Sequence, residues 1–129
     1  MFSYEIVDGG KVIILRTTGR PGFDDYQDVA PNFFADVKSQ NIRRILLDWR
    51  QFDGWGTEDA PSITFFSWIE SLPLFDRIAI VFHEGVRNEM DKFQEFFRNA
   101  EKDVRRFRAD RYEAALDWLK AENGETRLD

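Results

Sequence analysis

Phe75-Asp76-Arg77-Ile78-Ala79-Ile80-Val81-Phe82 is the stretch whose reading decides the fold. A strand with one wet face alternates apolar and polar side chains, but this run is apolar at every position from Ile78 to Phe82. Both of its faces must therefore be covered, as in a parallel sheet flanked by helices. Downstream, Val86, Met90, Phe93 and Phe97 recur at helical spacing, and Val104 to Phe107 reads as a further short strand. Upstream, Ile45-Leu46-Leu47 follows two arginines and reads as a buried strand that ends at Asp48, with a loop from Trp49 to Gly56.

Toward the amino terminus, Phe2, Tyr4 and Ile6 alternate with Ser3, Glu5 and Val7 as in a strand with one buried face. Asp8-Gly9-Gly10 supplies turn chemistry, since glycine takes positive φ at no steric cost, and returns the chain into Val12 to Leu15 as a hairpin. From Phe23 the period becomes helical through Tyr26, Ala30, Phe33 and Val37, with Asp24, Asp25 and Asp28 near the positive helix end. Pro31 lacks an amide hydrogen and is expected to kink or divide this helix. Thr57 is placed to cap a helix that carries Pro61 in its first turn and stops at Pro73. In the last helix Asp110 and Glu113 form an acidic capping box, ahead of an apolar stripe of Tyr112, Ala115, Leu116 and Leu119. The pattern predicts an α/β domain over residues 1–122, with a frayed tail at 123–129. Its mixed five-stranded sheet carries about four flanking helices in the order ββαβαβαβα.

A chain of 129 residues suits one domain and buries roughly two-thirds of its unfolded surface. The formal charge of −6 opposes nonspecific attraction to a phosphate backbone or an anionic membrane, so nucleic acid is not an expected partner. With no cysteine, disulfides, thiolate metal sites and cysteine nucleophiles are excluded. Met1 to Asp8 show no basic segment followed by an apolar run, and no stretch approaches a membrane span. The expectation is a soluble, cytoplasmic protein.

Four segments together carry a resemblance: Leu47-Asp48, Phe52-Asp53-Gly54-Trp55, Phe75 to Val81, and Glu113-Ala114-Ala115-Leu116-Asp117-Trp118-Leu119, with Asp25-Tyr26 and Pro31 in the first helix. In this order and over nearly the whole chain, the sequence resembles SpoIIAA-like proteins of the STAS superfamily. The resemblance implies a STAS-type sheet with flanking helices, related in shape to CRAL-TRIO lipid-binding domains, and a bacterial-type binding or regulatory role rather than catalysis. Two departures stand out. Where anti-sigma-factor antagonists carry a phosphorylated serine, this chain has Gly54-Trp55-Gly56-Thr57, and Thr57 is explained by helix capping alone. Where the family often has a tryptophan after the fourth strand, this chain has Gly85-Val86-Arg87.

Apart from the family, the segment Ile63 to Leu72 is the most informative, because its apolar residues surround the helix rather than form one stripe. A second cover is needed: the Trp49 to Gly56 loop, a second subunit or an apolar ligand. Trp49, Phe52, Trp55, Phe65, Phe66, Trp68 and Ile69 are thus the expected ligand or partner surface, with homodimerisation or a protein partner the leading reading. The alternative is a carrier or sensor of a small apolar or lipid-like molecule walled by Phe65, Trp68, Phe93 and Phe97. Ligands of such sheets gather beyond the carboxyl ends of the parallel strands, which nominates Asp48, Asp53, Thr57 and His83 as one rim.

His83 is the sole histidine, so no histidine cluster can hold a metal, and catalysis, cofactor and metal are not expected. Asp53, Glu58 and Asp59 are accounted for by the helix dipole, and Gly54-x-Gly56 lacks the rest of a phosphate loop. Arg105, Arg106, Arg108 and Arg111 form a basic cluster that Glu101, Asp103, Asp110 and Glu113 are expected to neutralise.

Overall fold

The computed structural model describes residues 1–54, 75–98 and 103–121. Strand β1 (Phe2–Val7) runs antiparallel to β2 (Val12–Gly19). The turn between them, Asp8 to Gly10, has positive φ at all three residues, which is why it carries two glycines. Helix α1 (Phe23–Gln40) returns the chain to β3 (Arg44–Phe52), which lies parallel to β2. Then follow β4 (Arg77–Phe82), α2 (Arg87–Arg98), β5 (Asp103–Arg108) and α3 (Tyr112–Lys120). The sheet order is β1-β2-β3-β4-β5, mixed through its one antiparallel edge pair. The helix expected over 58–72, its cap Thr57 and the tail at 123–129 lie outside the described residues, which hold three α-helices.

Two apolar layers hold the sheet. On one face Ile13, Leu15, Ile45, Leu47, Trp49, Phe52, Ile78, Ile80 and Phe82 pack with Phe33 and Val37 of α1 and with Val86 and Met90. On the other, Val12, Ile14, Leu46, Ala79 and Val81 meet Ala115 and Leu119 of α3. Since β2 to β5 progress in one direction across the sheet, the crossovers through α1 and α2 land on the same face, as right-handed connections require. The last helix takes the opposite one.

Four expectations need correction. Helix α1 continues through Pro31 without dividing. Pro31 is exposed, while Phe33, Val37 and Ile42 beyond it are fully buried, so packing against the sheet outweighs the local cost of the ring. Strand β3 does not end at Asp48 but runs to Phe52. Between the pairs Arg16–Asp48 and Thr18–Gln51, β2 contributes one residue and β3 contributes Trp49 and Arg50, which defines a β-bulge. The extra residue shifts the phase of the strand, so that Phe52 rather than Gln51 follows Trp49 into the core. As a result Trp49 and Phe52, expected on a ligand or partner surface, are fully buried, with ring centroids 4.9 Å apart. Finally, α3 begins after a short 3₁₀ turn, Ala109–Arg111, and no side chain caps it, so the Asp110 and Glu113 capping box is not formed.

β1 is tied to α1 by the Tyr4 hydroxyl, which donates to Asp36 Oδ2 at 2.6 Å while the ring meets Phe33 edge-on at 5.5 Å. Burial first, and then the hydrogen bond and negative charge of Asp36, push the phenol up to about 12 from 10.0. Because the folded value is the higher one, the contribution of this group is whole below pH ~10 and is lost as the pH rises toward 12. In denaturant titrations the wild type is expected to lose stability across that window faster than Tyr4→Phe. Parallel curves for the two proteins would show that the hydroxyl is not responsible.

Candidate functional site

In the carboxyl-terminal half of β3, on the α3 side of the sheet, Asp48 is 2% exposed. The parallel register sets it directly beside Arg16. Arg16 Nε donates to Asp48 Oδ2 at 2.9 Å. Arg50 lies two residues on and so shares its face. It donates from Nη2 to Oδ2 and from Nε to Oδ1, both at 2.9 Å, and its backbone N–H donates to Oδ1 at 3.2 Å. The Arg50 guanidinium stacks 3.9 Å from the Tyr112 ring centroid, so α3 closes one side of the cluster. Arg16 also reaches Glu5 on β1 at 3.6 Å. A cleft of about 310 Å³ opens here, lined by Arg16, Asp48, Arg50 and Gln51.

The electrostatics of Asp48 are a contest with a clear winner. Burial is the largest single influence and raises its pKa, but the bonds from Arg50 and Arg16, including the Arg50 amide, together outweigh it and hold the carboxyl below its usual value. Asp48 is therefore a fixed anion whose acceptor positions are filled, which suits a structural clamp and not a proton acceptor. The two guanidiniums around it keep part of their surface toward solvent, with side chains 35% and 37% exposed.

His83, also expected on this rim, is engaged on both ring nitrogens. Nδ1 accepts from the Gly85 N–H at 3.1 Å, which assigns the proton to Nε2, and Nε2 donates to the Phe52 carbonyl at 2.7 Å. The imidazole thus staples the end of β4 to the end of β3. A Cβ at Gly85 would come within 2.7 Å of His83 Cε1, so glycine stands there to make room for the ring. Asp53 donates its backbone N–H to Gly19 O at 2.9 Å and points its side chain to solvent.

The structure brings Asp48 together with Arg16, Arg50 and Tyr112, none of which the sequence nominated. No hydrogen bond or ion pair joins Asp48 to Asp53 or His83 among the described residues. Thr57, Trp55, Phe65, Phe66, Trp68 and Ile69 lie outside them. The spacing Asp48-x-Arg50 on a buried strand was a usable signal. Arg16 was not findable without the register, because it comes from 32 residues away.

The basic cluster of the last strand is paired: Arg105 with Asp103 at 3.5 Å, Arg106 with Asp91 at 2.9 Å and Arg108 with Glu84 at 3.4 Å. The mixed-charge edge was expected, but two of its acids come from residues 84–91 rather than from the segment around β5. Among the described residues no group of three histidine, aspartate or glutamate side chains could hold a metal ion, and no helix is long and apolar enough to cross a membrane.

The SpoIIAA-like family model matches residues 12–120. No curated protein matches the chain. SpoIIAA-like chains carry a STAS-type domain, and such domains are generally regulatory or binding modules. The matched span opens on the first residue of β2 and closes on the last residue of α3, and it takes in Asp48, Arg50, His83 and Trp118. The chain belongs to the SpoIIAA-like family.

Proposed function

We propose that this chain is a non-enzymatic, cytoplasmic regulatory module that works by engaging a protein partner or a second copy of itself. The observation that carries the reading is the state of the carboxyl rim. Where an α/β enzyme would present groups for chemistry, Asp48 is saturated by Arg16 and Arg50, and His83 is saturated by Phe52 and Gly85. What this end offers instead is shape and a partly exposed pair of guanidiniums, which is recognition chemistry. The sequence adds a contact surface in Trp55, Phe65, Phe66, Trp68 and Ile69, from a segment whose apolar residues exceed what one helix stripe can bury.

Native mass spectrometry under gentle and then denaturing conditions tests this. The expected result is a dimer without added mass that becomes monomeric in Trp68→Glu, with the variant retaining its circular dichroism spectrum. A bare monomer in both proteins removes self-association. An added mass that is lost on denaturation would replace the reading with that of a carrier for a small apolar or lipid-like molecule.

A further inference from the structure

The opposite end of the sheet, where β2 and β3 begin, holds a second cleft of about 530 Å³. Its walls carry Lys11, Arg43, Arg44 and Lys120 together with the carboxamides of Gln40 and Asn41, and among the described residues no carboxylate side chain lines it. We infer that this cleft binds a small molecule through a phosphate or diphosphate group.

Convergence is the first reason. The four cations come from three parts of the fold: Lys11 follows the β1–β2 turn, Arg43 and Arg44 stand at the start of β3, and Lys120 ends α3. In a chain with net charge −6, such a gathering, with no lining acid among the described residues, runs against the overall balance. The negative end of α3 would account for Lys120 alone. It does not account for Lys11 or Arg43, which stand in the connections before β2 and β3.

Preorganisation is the second. Arg44 is half-buried and fixed by Nη1 donating to the carbonyls of Leu119 and Ala121, each at 2.6 Å. Arg43 is held by Asp76 at 3.2 Å. Two guanidiniums are thereby placed before any ligand arrives, which lowers the ordering cost of binding. Lys11 and Lys120 are exposed and form no ion pair among the described residues, so their ammonium groups remain to neutralise an incoming dianion. The wall behind them is close-set: a Cβ on Gly10, whose φ is +92°, would meet Gln40 Oε1 at 3.2 Å. The volume falls in the range of small-molecule sites, and planar guanidinium and amide N–H donors match phosphate oxygens.

The proposal is independent of how the chain meets a partner, and its test uses the whole chain. Sodium pyrophosphate and sodium phosphate are titrated against sodium chloride at matched ionic strength, followed by calorimetry and by backbone amide shifts. The expected result is saturable binding, tighter for pyrophosphate, with shifts concentrated at residues 9–11, 40–44 and 119–121. Lys11→Gln with Lys120→Gln should weaken binding by about tenfold or more while leaving the thermal midpoint without ligand unchanged. Arg16→Gln, at the other end of the sheet, should leave binding unchanged. The inference is overturned if pyrophosphate acts no differently from chloride, if the double variant binds equally well, or if the shifts gather around Arg16 and Arg50.

Discussion

Asp48→Ala is expected to lower stability by about 2–3 kcal/mol, read as a fall in the urea midpoint at neutral pH. The carboxylate is buried and accepts from Arg16 Nε and from three Arg50 donors, so its removal leaves two guanidiniums side by side with no counter-charge between them. The figure sits below the usual range for breaking a buried pair because both arginines remain about a third exposed and water can recover part of the loss. Acid separates charge from packing. The folded-state pKa of Asp48 is depressed, so its contribution is present above the ordinary aspartate range near pH ~4 and is lost as the pH falls through the lower folded value. The stability gap between wild type and Asp48→Asn should therefore be widest near neutrality and close on acidification. A gap that stayed constant with pH would mean that the carboxylate charge contributes nothing.

The second large effect is expected from Arg44→Met combined with Arg77→Met. Arg44 Nη1 donates to the carbonyls of Leu119 and Ala121, and Arg77 Nη1 donates to those of Trp118 and Ala121 at 3.0 and 2.9 Å. Charged donors thus satisfy carbonyls at the end of α3 that have no partner within the helix. Their loss should destabilise the protein by about 2–4 kcal/mol. Hydrogen exchange gives the distinguishing signature, with amides of α3 exchanging at least about tenfold faster while those of β3 and β4 stay protected. Uniform acceleration across the sheet would instead indicate general loosening, and would remove the special role of the two arginines.

The pattern of residues announced the framework. The apolar run Ile78 to Phe82, the Asp8-Gly9-Gly10 turn and the stripe of Ala115 and Leu119 each depend on local chemistry, and each lies where that chemistry places it. What stayed hidden depends on contacts between distant residues. Asp48 read as the end of a strand because a carboxylate in an apolar run is normally a terminus, and only the parallel register supplies Arg16 to neutralise it. Trp49 and Phe52 read as loop aromatics because the phase of the strand changes at a bulge that no local residue advertises. Pro31 read as a break because its ring was weighed without the buried Phe33 and Val37 that follow it and the partly buried Val29 and Ala30 that precede it on the sheet. His83 follows β4, where its place in the sequence puts it, but its partners are backbone atoms, which composition cannot reveal.

The strand order β1-β2-β3-β4-β5 also has a consequence in time. On the ribosome each new strand finds its neighbour already made, so the sheet can widen from one edge in the order of translation, without waiting for a later segment to be inserted between earlier ones. Helix α3, the last described element to emerge, lies over Val12, Ile14, Leu46, Ala79 and Val81. Among the described helices, α3 is the one that covers this face. The nascent chain is thus at its most adhesive shortly before α3 leaves the exit tunnel, and a pause at that stage is when a chaperone would find most to hold.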